Sequence, residues 1–539
     1  MRHYFQYMLC GIAAALFCIA VFSFLAPLIA ALSPMLSARA GGTELTSFSY
    51  VLKIILYTIK ESFLSVGIAV ATGVPAAYFL SHKKLLSCRI LSCLSAVPLC
   101  IPPLIIALGY IATFGMSGFV NSFFMQVFHL KEPPLGFLYS VWGIAVCQGF
   151  YNFPLIMKTV SDSWQALDTS LADCARLLGA SRWRIFRTIT VYQLLPSVVS
   201  SSIPVFLYSF FSFMIVLMFG TVGGTTLEVA VYHAGRSVLN FHSAAVLAFT
   251  ETCCALFILL SYSFLEQKSS RVYGVSLSNE NIKKTGLNLR EILPALLFFL
   301  TVALFFLMPL FSIALGSFFA GGSKTRVFTL AKWKGLFSSR GFYIALRNTC
   351  VTATFSSVLC TVIGFAYAVF FRLNIQKRYS GLAEAVLRTI LMLPMAVSSV
   401  VMGIGLIMLV RRGSPVHLVL AQTALSWPFA FRQLYAHIKA VPQDVIDAAR
   451  ILSRHRPDMI FSVIIPYCKR SILSVLGFCF AISAGDATLP LVLAVHRFDT
   501  LSLYTYRLAG GFRFGEACAS GLVLGFLCMG AFHAFRRKQ

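Results

Sequence analysis

The chain has 539 residues, of which 58% are hydrophobic and only 12% charged, and its mean hydropathy is +0.83. A soluble protein carries roughly twice that charged fraction, so an ordinary water-soluble domain is excluded. Lys and Arg outnumber Asp and Glu by 44 to 18, a formal charge of +26 that in a soluble chain would point to nucleic acid. Here the basic residues cluster in short segments between apolar runs, where they report membrane topology and make nucleic acid an unneeded partner.

Apolar runs of twenty or more residues recur along the whole chain, each long enough to cross a hydrocarbon core of roughly 30 Å as a helix. Helices are the default because lipid offers the backbone no hydrogen-bond partners; a barrel would need alternating strands, and runs such as 293–315 do not alternate. The expected fold is an all-α integral membrane protein with about twelve transmembrane helices. The first span, 8–32, follows Arg2, is longer than a signal-peptide core and lacks a cleavage site, and so reads as a retained anchor. Spans near 51–80, 89–115, 137–157, 193–218 and 243–265 complete a first half, 1–265.

The polar stretch 266–292 reads as a cytoplasmic linker. The second half, 293–539, carries spans near 293–318, 346–371, 387–410, 417–436, 471–494 and 516–535. Placing both termini in the cytoplasm puts Lys83, Lys84 and Arg89, the arginines of 158–192 and those of 437–470 inside. The outer segments of the first half then hold only Arg39, Lys131 and Arg236, although those of the second half are richer in basic residues.

The halves match in order. The string VGIAVATGVPAAYFL (66–80) parallels SVLCTVIGFAYAVFF (357–371), and VPLCIPPLIIALG (97–109) parallels LPMAVSSVVMGIG (393–405), pairing Pro98 with Pro394 and Gly109 with Gly405. Pro154 pairs with Pro428 and Asp173 with Asp447 at one offset, 428 − 154 = 447 − 173 = 274. Six spans per half is an even number, so the two repeats insert the same way up, with a pathway expected at their interface. Pro98 and Pro394 either line that path or mark tolerated kinks. Asp486 is the clear acidic residue at mid-span, with Glu61 and Glu251 nearer span ends; it serves either the pathway or helix packing at a broken span.

The longest shared feature is a polar segment in each half, 168–196 and 442–470. In the first, 170–178 is helical by composition, Gly179 suits a left-handed helix stop, and Ser181 can cap a second short helix, 182–194, with Trp183, Phe186 and Ile189 on one side. Two short helices meeting at a small-residue elbow make a knob suited to a protein groove; the plainer reading is an amphipathic surface helix at the membrane interface. That both copies sit at matching positions favours docking.

The segment LDTSLADCARLLGASRWRIFRTITVYQLLP resembles the EAA loop of permeases from binding-protein-dependent ABC importers. Asp173, Cys174 and Ala175 stand at the EAA positions, Gly179 at the glycine and Pro196 at the closing proline. In the second half Asp447, Ala448 and Ala449 stand at the EAA positions, Ser453 replaces the glycine, and Pro466 falls near the closing position. The fused arrangement, with TTLEVAVYHAG (225–235) and SAGDATLPLVLAVHRFDTLSLYTYRLAGGFR (483–513), is similar to the permeases for thiamine and ferric iron. The resemblance implies a type I importer permease in the bacterial inner membrane. It would be gripped by a separate ABC ATPase dimer through Asp173, Ala175, Arg176, Gly179, Ala180, Trp183 and Phe186 in one loop. In the other the same grip would fall on Asp447, Ala448, Ala449, Arg450, Ser453 and Ile460. It further implies a periplasmic solute-binding protein as partner, no cofactor on this chain and ATP on the partner subunit.

No GxxxxGK[ST] string is present; Gly322, Ser323, Lys324 and Thr325 come nearest, with an intervening serine and in an outer segment. No HExxH or metal-ligand spacing occurs, and no cluster of His, Asp or Glu marks a membrane enzyme. The rival from another class is an ion-coupled carrier, which should place several ionisable groups at membrane depth. Thiamine is the first cargo expected, ferric iron the second, and a polyamine or phosphonate the third.

Overall fold

The computed structural model describes residues 22–36, 47–83, 91, 101–167, 170–220, 224–272, 286, 289–320, 327–375, 391–410, 412–453 and 456–536. Among them, eight helices are long and apolar enough to cross a membrane, and Phe22–Met35 and Ser399–Val410 are shorter apolar helices. The two remaining expected span positions hold Val141–Gln165 and Pro415–Lys439, 25 residues each, whose polar residues lower their hydropathy. All twelve expected positions thus carry a helix. The linker is shorter than its polar composition predicts: the flanking helices run to Val272 and begin again at Leu289.

The two halves repeat in step from Val141 and Pro415 onward. Val141–Gln165 maps onto Pro415–Lys439 by the offset of 274, as do Arg182–Ile185 onto Arg456–Met459 and the π-turns Phe186–Thr190 onto Ile460–Ile464. Phe48–His82 packs along Val141–Gln165, and its counterpart Arg340–Phe370 packs along Pro415–Lys439. The first helix of each half crosses over. Met308–Phe318 packs on Pro103–Phe114 of the first half, and Pro27 and Ala31 lie against Ser399–Val410 of the second. The largest buried apolar cluster accordingly joins Leu108, Ile144 and Leu247 to Val400, Leu418 and Leu524.

Two expected spans prove to be broken. The run 193–218 is the end of a helix that starts at Arg182, stops at Phe210 and resumes as the short helix Phe213–Phe219. The run 471–494 is likewise Ile460–Gly485 followed by Thr488–Leu493. Only single polar residues, Ser212 and Asp486, mark the breaks within otherwise apolar runs, so averaged hydropathy merges the pieces. Backbone groups freed at such breaks must be satisfied by protein or face a cavity. The segments after them, expected as outer loops, are not simple loops either. Leu227–Tyr232 and Leu501–Gly510 are helices at matching positions, with Leu227, Val231 and Leu501 buried in the bundle.

Candidate coupling and translocation site

The first elbow is built as its residues dictate. Ser170–Leu177 is a helix, Gly179 takes φ +80°, and the Ser181 hydroxyl accepts a hydrogen bond from the Arg184 amide at 3.3 Å. A left-handed residue closing a helix favours glycine because a Cβ crowds the following carbonyl. Beyond Ser181 the chain departs from the expected short helix 182–194: Arg182–Ile185 runs through the π-turn Phe186–Thr190 straight into Val191–Phe210. The elbow is therefore the end of a spanning helix, so force on it reaches the membrane without a flexible joint.

The second elbow ends its first helix differently. Gln443–Leu452 ends at Ser453, which is extended (φ −84°, ψ 133°) where its counterpart Gly179 is left-handed. Pro466 opens the helix Ile465–Gly485, whereas Pro196 sits inside Val191–Phe210; their offset of 270 differs from 274, so the two closing prolines are not equivalent. Asp173 pairs with Arg176 at 2.5 Å and Asp447 with Arg450 at 3.3 Å, the same i,i+3 pair in both copies. Exposed pairs of this kind stabilise a helix by only about 0.2–0.5 kcal/mol, so they set side-chain direction more than stability. Ala175 and Ala180 flank the first turn, while Ala448 and Ala449 lie inside the helix Gln443–Leu452, where Ala449 is buried.

Each elbow ends in two apolar residues that the rest of the chain leaves exposed. Leu177 and Leu178 are 89% and 88% exposed, and their 274-offset counterparts Ile451 and Leu452 are 85% and 86% exposed. These four lie outside the expected coupling residues. The two elbow helices are short and read as amphipathic, but composition alone did not say which side would be left bare. Trp183 is exposed and stacks on Phe186 at 5.8 Å, which stacks in turn on Trp164 of Val141–Gln165 at 6.5 Å, anchoring the elbow to the bundle. In the second half Ile460 plays that part, packed against a buried cluster that includes Ile438.

At the opposite ends of the elbow helices, the two breaks face one cavity of about 330 Å³ between the halves. Its lining is paired by the repeat: Gln148 with Gln422, Asn152 with Ser426, Tyr208 with Ile482, and Ser212 with Asp486. Asp486 Oδ1 accepts from the Thr488 and Leu489 amides at 2.9 and 3.3 Å, capping the short helix after the break. Its Oδ2 meets Gln422 Nε2 at 3.4 Å, and the same amide donates to the Ser483 carbonyl at 3.1 Å. Pro394 is buried in the turn Leu393–Ala396 and is not among the lining residues, and Pro98 lies outside the described residues. Pro102 and Pro103 line the cavity instead.

Other buried carboxylates flank this region. Glu251 lies against Ser398 and Glu228 against the Val400 amide, so two acids of the first half meet the start of Ser399–Val410 of the second. Glu61, buried on Phe48–His82, shares the Ser65 hydroxyl with Gln148. Neither Glu61 nor Glu251 is the span-end group expected from sequence. Glu228 was hidden in an assumed outer loop, although it stands in the TTLEVAVYHAG string.

Two repeated helical bundles, crossed first helices and paired elbows define a transport permease of the inner-membrane type. The chain matches the family described as "Binding-protein-dependent transport system inner membrane component" over residues 67–271 and 361–535, and it belongs to that family. It is 22% identical over 530 residues to the thiamine transport system permease protein of Salmonella typhimurium, covering 96% of this chain and 94% of that one. It is 24% identical over 524 residues to the thiamine transport system permease protein of Brucella abortus, covering 93% and 90%. A ferric transport system permease protein of Actinobacillus pleuropneumoniae is 24% identical over 442 residues, covering 80% of this chain and 63% of that one. The chain is thus the membrane component of an ABC import system, a transport subunit in the inner membrane.

Proposed function

We propose that this chain carries thiamine across the inner membrane, receiving it from an extracytoplasmic binding protein and driven by a separate ATPase dimer seated on the two elbows. The observation that carries the reading is the matched pair of bare apolar tips, Leu177–Leu178 and Ile451–Leu452, at the ends of the elbow helices that precede the long helices starting at Arg182 and Arg456. Exposed apolar side chains in symmetric pairs are what a two-fold partner would cover. Both termini lie in the cytoplasm in this reading, on the elbow side. ATP closure of the partner would draw the elbows together and open the central cavity outward; hydrolysis would reverse it. Thiamine is favoured as cargo because relatives spanning nearly the whole chain are thiamine permeases, and the ferric relative makes ferric iron the second reading.

The test is reconstitution of the chain with its ATPase and binding protein in proteoliposomes. ATP-dependent uptake of labelled thiamine is expected, with no uptake when ATP is omitted. Uptake of ferric iron in place of thiamine would move the cargo to the second reading, and uptake of either without ATP would remove the importer reading altogether.

A further inference from the structure

We propose that the cavity between the halves is a solute-binding chamber for a monovalent organic cation bearing an aromatic ring, with Asp486 as its counter-charge. The proposal rests on the importer reading above and names the chemistry of what is bound inside the membrane.

Charge comes first. Among the described residues, Asp486 is the one carboxylate lining the cavity, and no Lys, Arg or His lines it. One negative charge in a low-dielectric chamber matches one positive charge and disfavours anions or neutral solutes of the same size. The carboxylate also exceeds what the local fold requires. Ser212 stands at the matching break in the first half and precedes a short helix of its own, so a neutral residue suffices there. Asp486 commits Oδ1 to the Thr488 and Leu489 amides, which leaves Oδ2 with only the long Gln422 contact.

Unfilled hydrogen-bonding capacity is the second observation. Gln148 Nε2, Gln422 Oε1, Ser212 Oγ and Ser483 Oγ are buried without a partner among the described residues, and all four residues line the cavity. Gln148 and Gln422 are 1% and 2% exposed and related by the repeat offset, so each half places one residue with an unsatisfied amide group in the wall of the shared space. Buried polar atoms left unpaired are costly unless something else completes them, which is the signature of a binding site. Tyr151, Tyr208, Phe211 and Phe429 supply aromatic surface in the same cavity, suited to stacking on a ring and to a cation held over a face. The volume, about 330 Å³, lies at the small end of ligand pockets of roughly 300–1,000 Å³.

Binding is measured on the intact permease–ATPase complex in nanodiscs, without binding protein, using thiamine, benzyltrimethylammonium and neutral benzyl alcohol as probes. Both cations are expected to bind, with the neutral probe at least about tenfold weaker. Asp486→Asn keeps an acceptor for the two amides and should weaken cation binding at least about tenfold while leaving the neutral probe unchanged. Asp486→Ser copies the residue already accepted at the matching break, should give the same loss, and covers the case in which the first variant misfolds. Cation binding unaltered in both variants, or a neutral probe bound as well as the cations, overturns the chamber. Binding of benzyltrimethylammonium but not thiamine would support the chamber and remove thiamine as cargo. ATP-driven uptake with no cation bound would overturn the chamber and leave the importer standing.

Discussion

Gly405 lies so close to the backbone carbonyl of Pro27 that a Cβ there would overlap the oxygen, and the repeat copies the arrangement: a Cβ on Gly109 would stand 2.5 Å from the Pro309 carbonyl. Pro27 belongs to the first helix of the first half and Gly405 to the second half, whereas Pro309 and Gly109 reverse the roles. The matched glycines are thus the points at which each half holds the other's crossing helix, using the small-residue contact by which membrane helices approach. Gly405→Val should overpack this crossing and destabilise the assembled protein by about 1–3 kcal/mol. Thermal unfolding in detergent should show it, with Gly67→Ala as control, since a Cβ at Gly67 meets nothing within 4 Å. A Gly405→Val protein as stable as the control would remove the crossing as a structural lock.

The two elbows should respond unequally to substitution. Gly179 holds φ +80°, a conformation that costs an L-residue roughly 1–2 kcal/mol, while Ser453 is extended at φ −84°. Gly179→Val should therefore weaken coupling, read as transport-linked ATP hydrolysis by the complex, about five- to thirtyfold if the strain is borne wholly by the docked state. Ser453→Val should cost far less. Equal losses at the two sites would show that backbone shape at the elbow is irrelevant to docking.

Much of this site was legible in the residues themselves. The offset of 274, anchored on Pro154, Pro428, Asp173 and Asp447, extends in the structure from Val141 to Tyr232 and from Pro415 to Tyr506, because neither half gained or lost a residue across its elbow. Gly179 and Ser181 were readable from the turn and cap chemistry that their types impose. The break after Phe210 was not, because FSFMIVLMF stays largely apolar across it and hydropathy carries no information on where a helix unwinds; at the break after Gly485, Asp486 offered a broken span only as one of two readings. Glu228 was missed for the converse reason: a short helix between two spans looks like a loop when only composition is counted.

Loss of the bare elbow tips should separate docking from folding. Leu178→Asp and Leu452→Asp alter side chains that touch little of their own chain, so membrane insertion and thermal stability should be unchanged. Truncating an apolar anchor at a protein interface commonly costs about 2 kcal/mol or more, so retention of the ATPase on purification should fall by at least about tenfold for the pair together. Full retention with both substitutions in place would mean that the partner grips some other surface.

Lys83 marks a second join between the halves, at the end where the linker runs. Its Nζ donates to Glu291 Oε2 at 2.5 Å and to the Gly286 carbonyl at 3.4 Å, so the end of Phe48–His82 is tied to the start of the second half's first helix. The Lys83 side chain is 5% exposed and Glu291 32%, which makes the lysine dependent on its partner while the glutamate keeps water. Glu291→Gln leaves an acceptor but removes the charge, and the buried ammonium is then poorly compensated, at a cost of about 1–3 kcal/mol. Replacing both partners by apolar residues, Lys83→Met with Glu291→Leu, removes the stranded charge and should recover most of that loss. A thermal double-mutant cycle in detergent decides it: the single variant should unfold several degrees below the double. If the double is the less stable of the two, the pair contributes attraction in its own right, and the join holds the halves by charge where burial was expected to suffice.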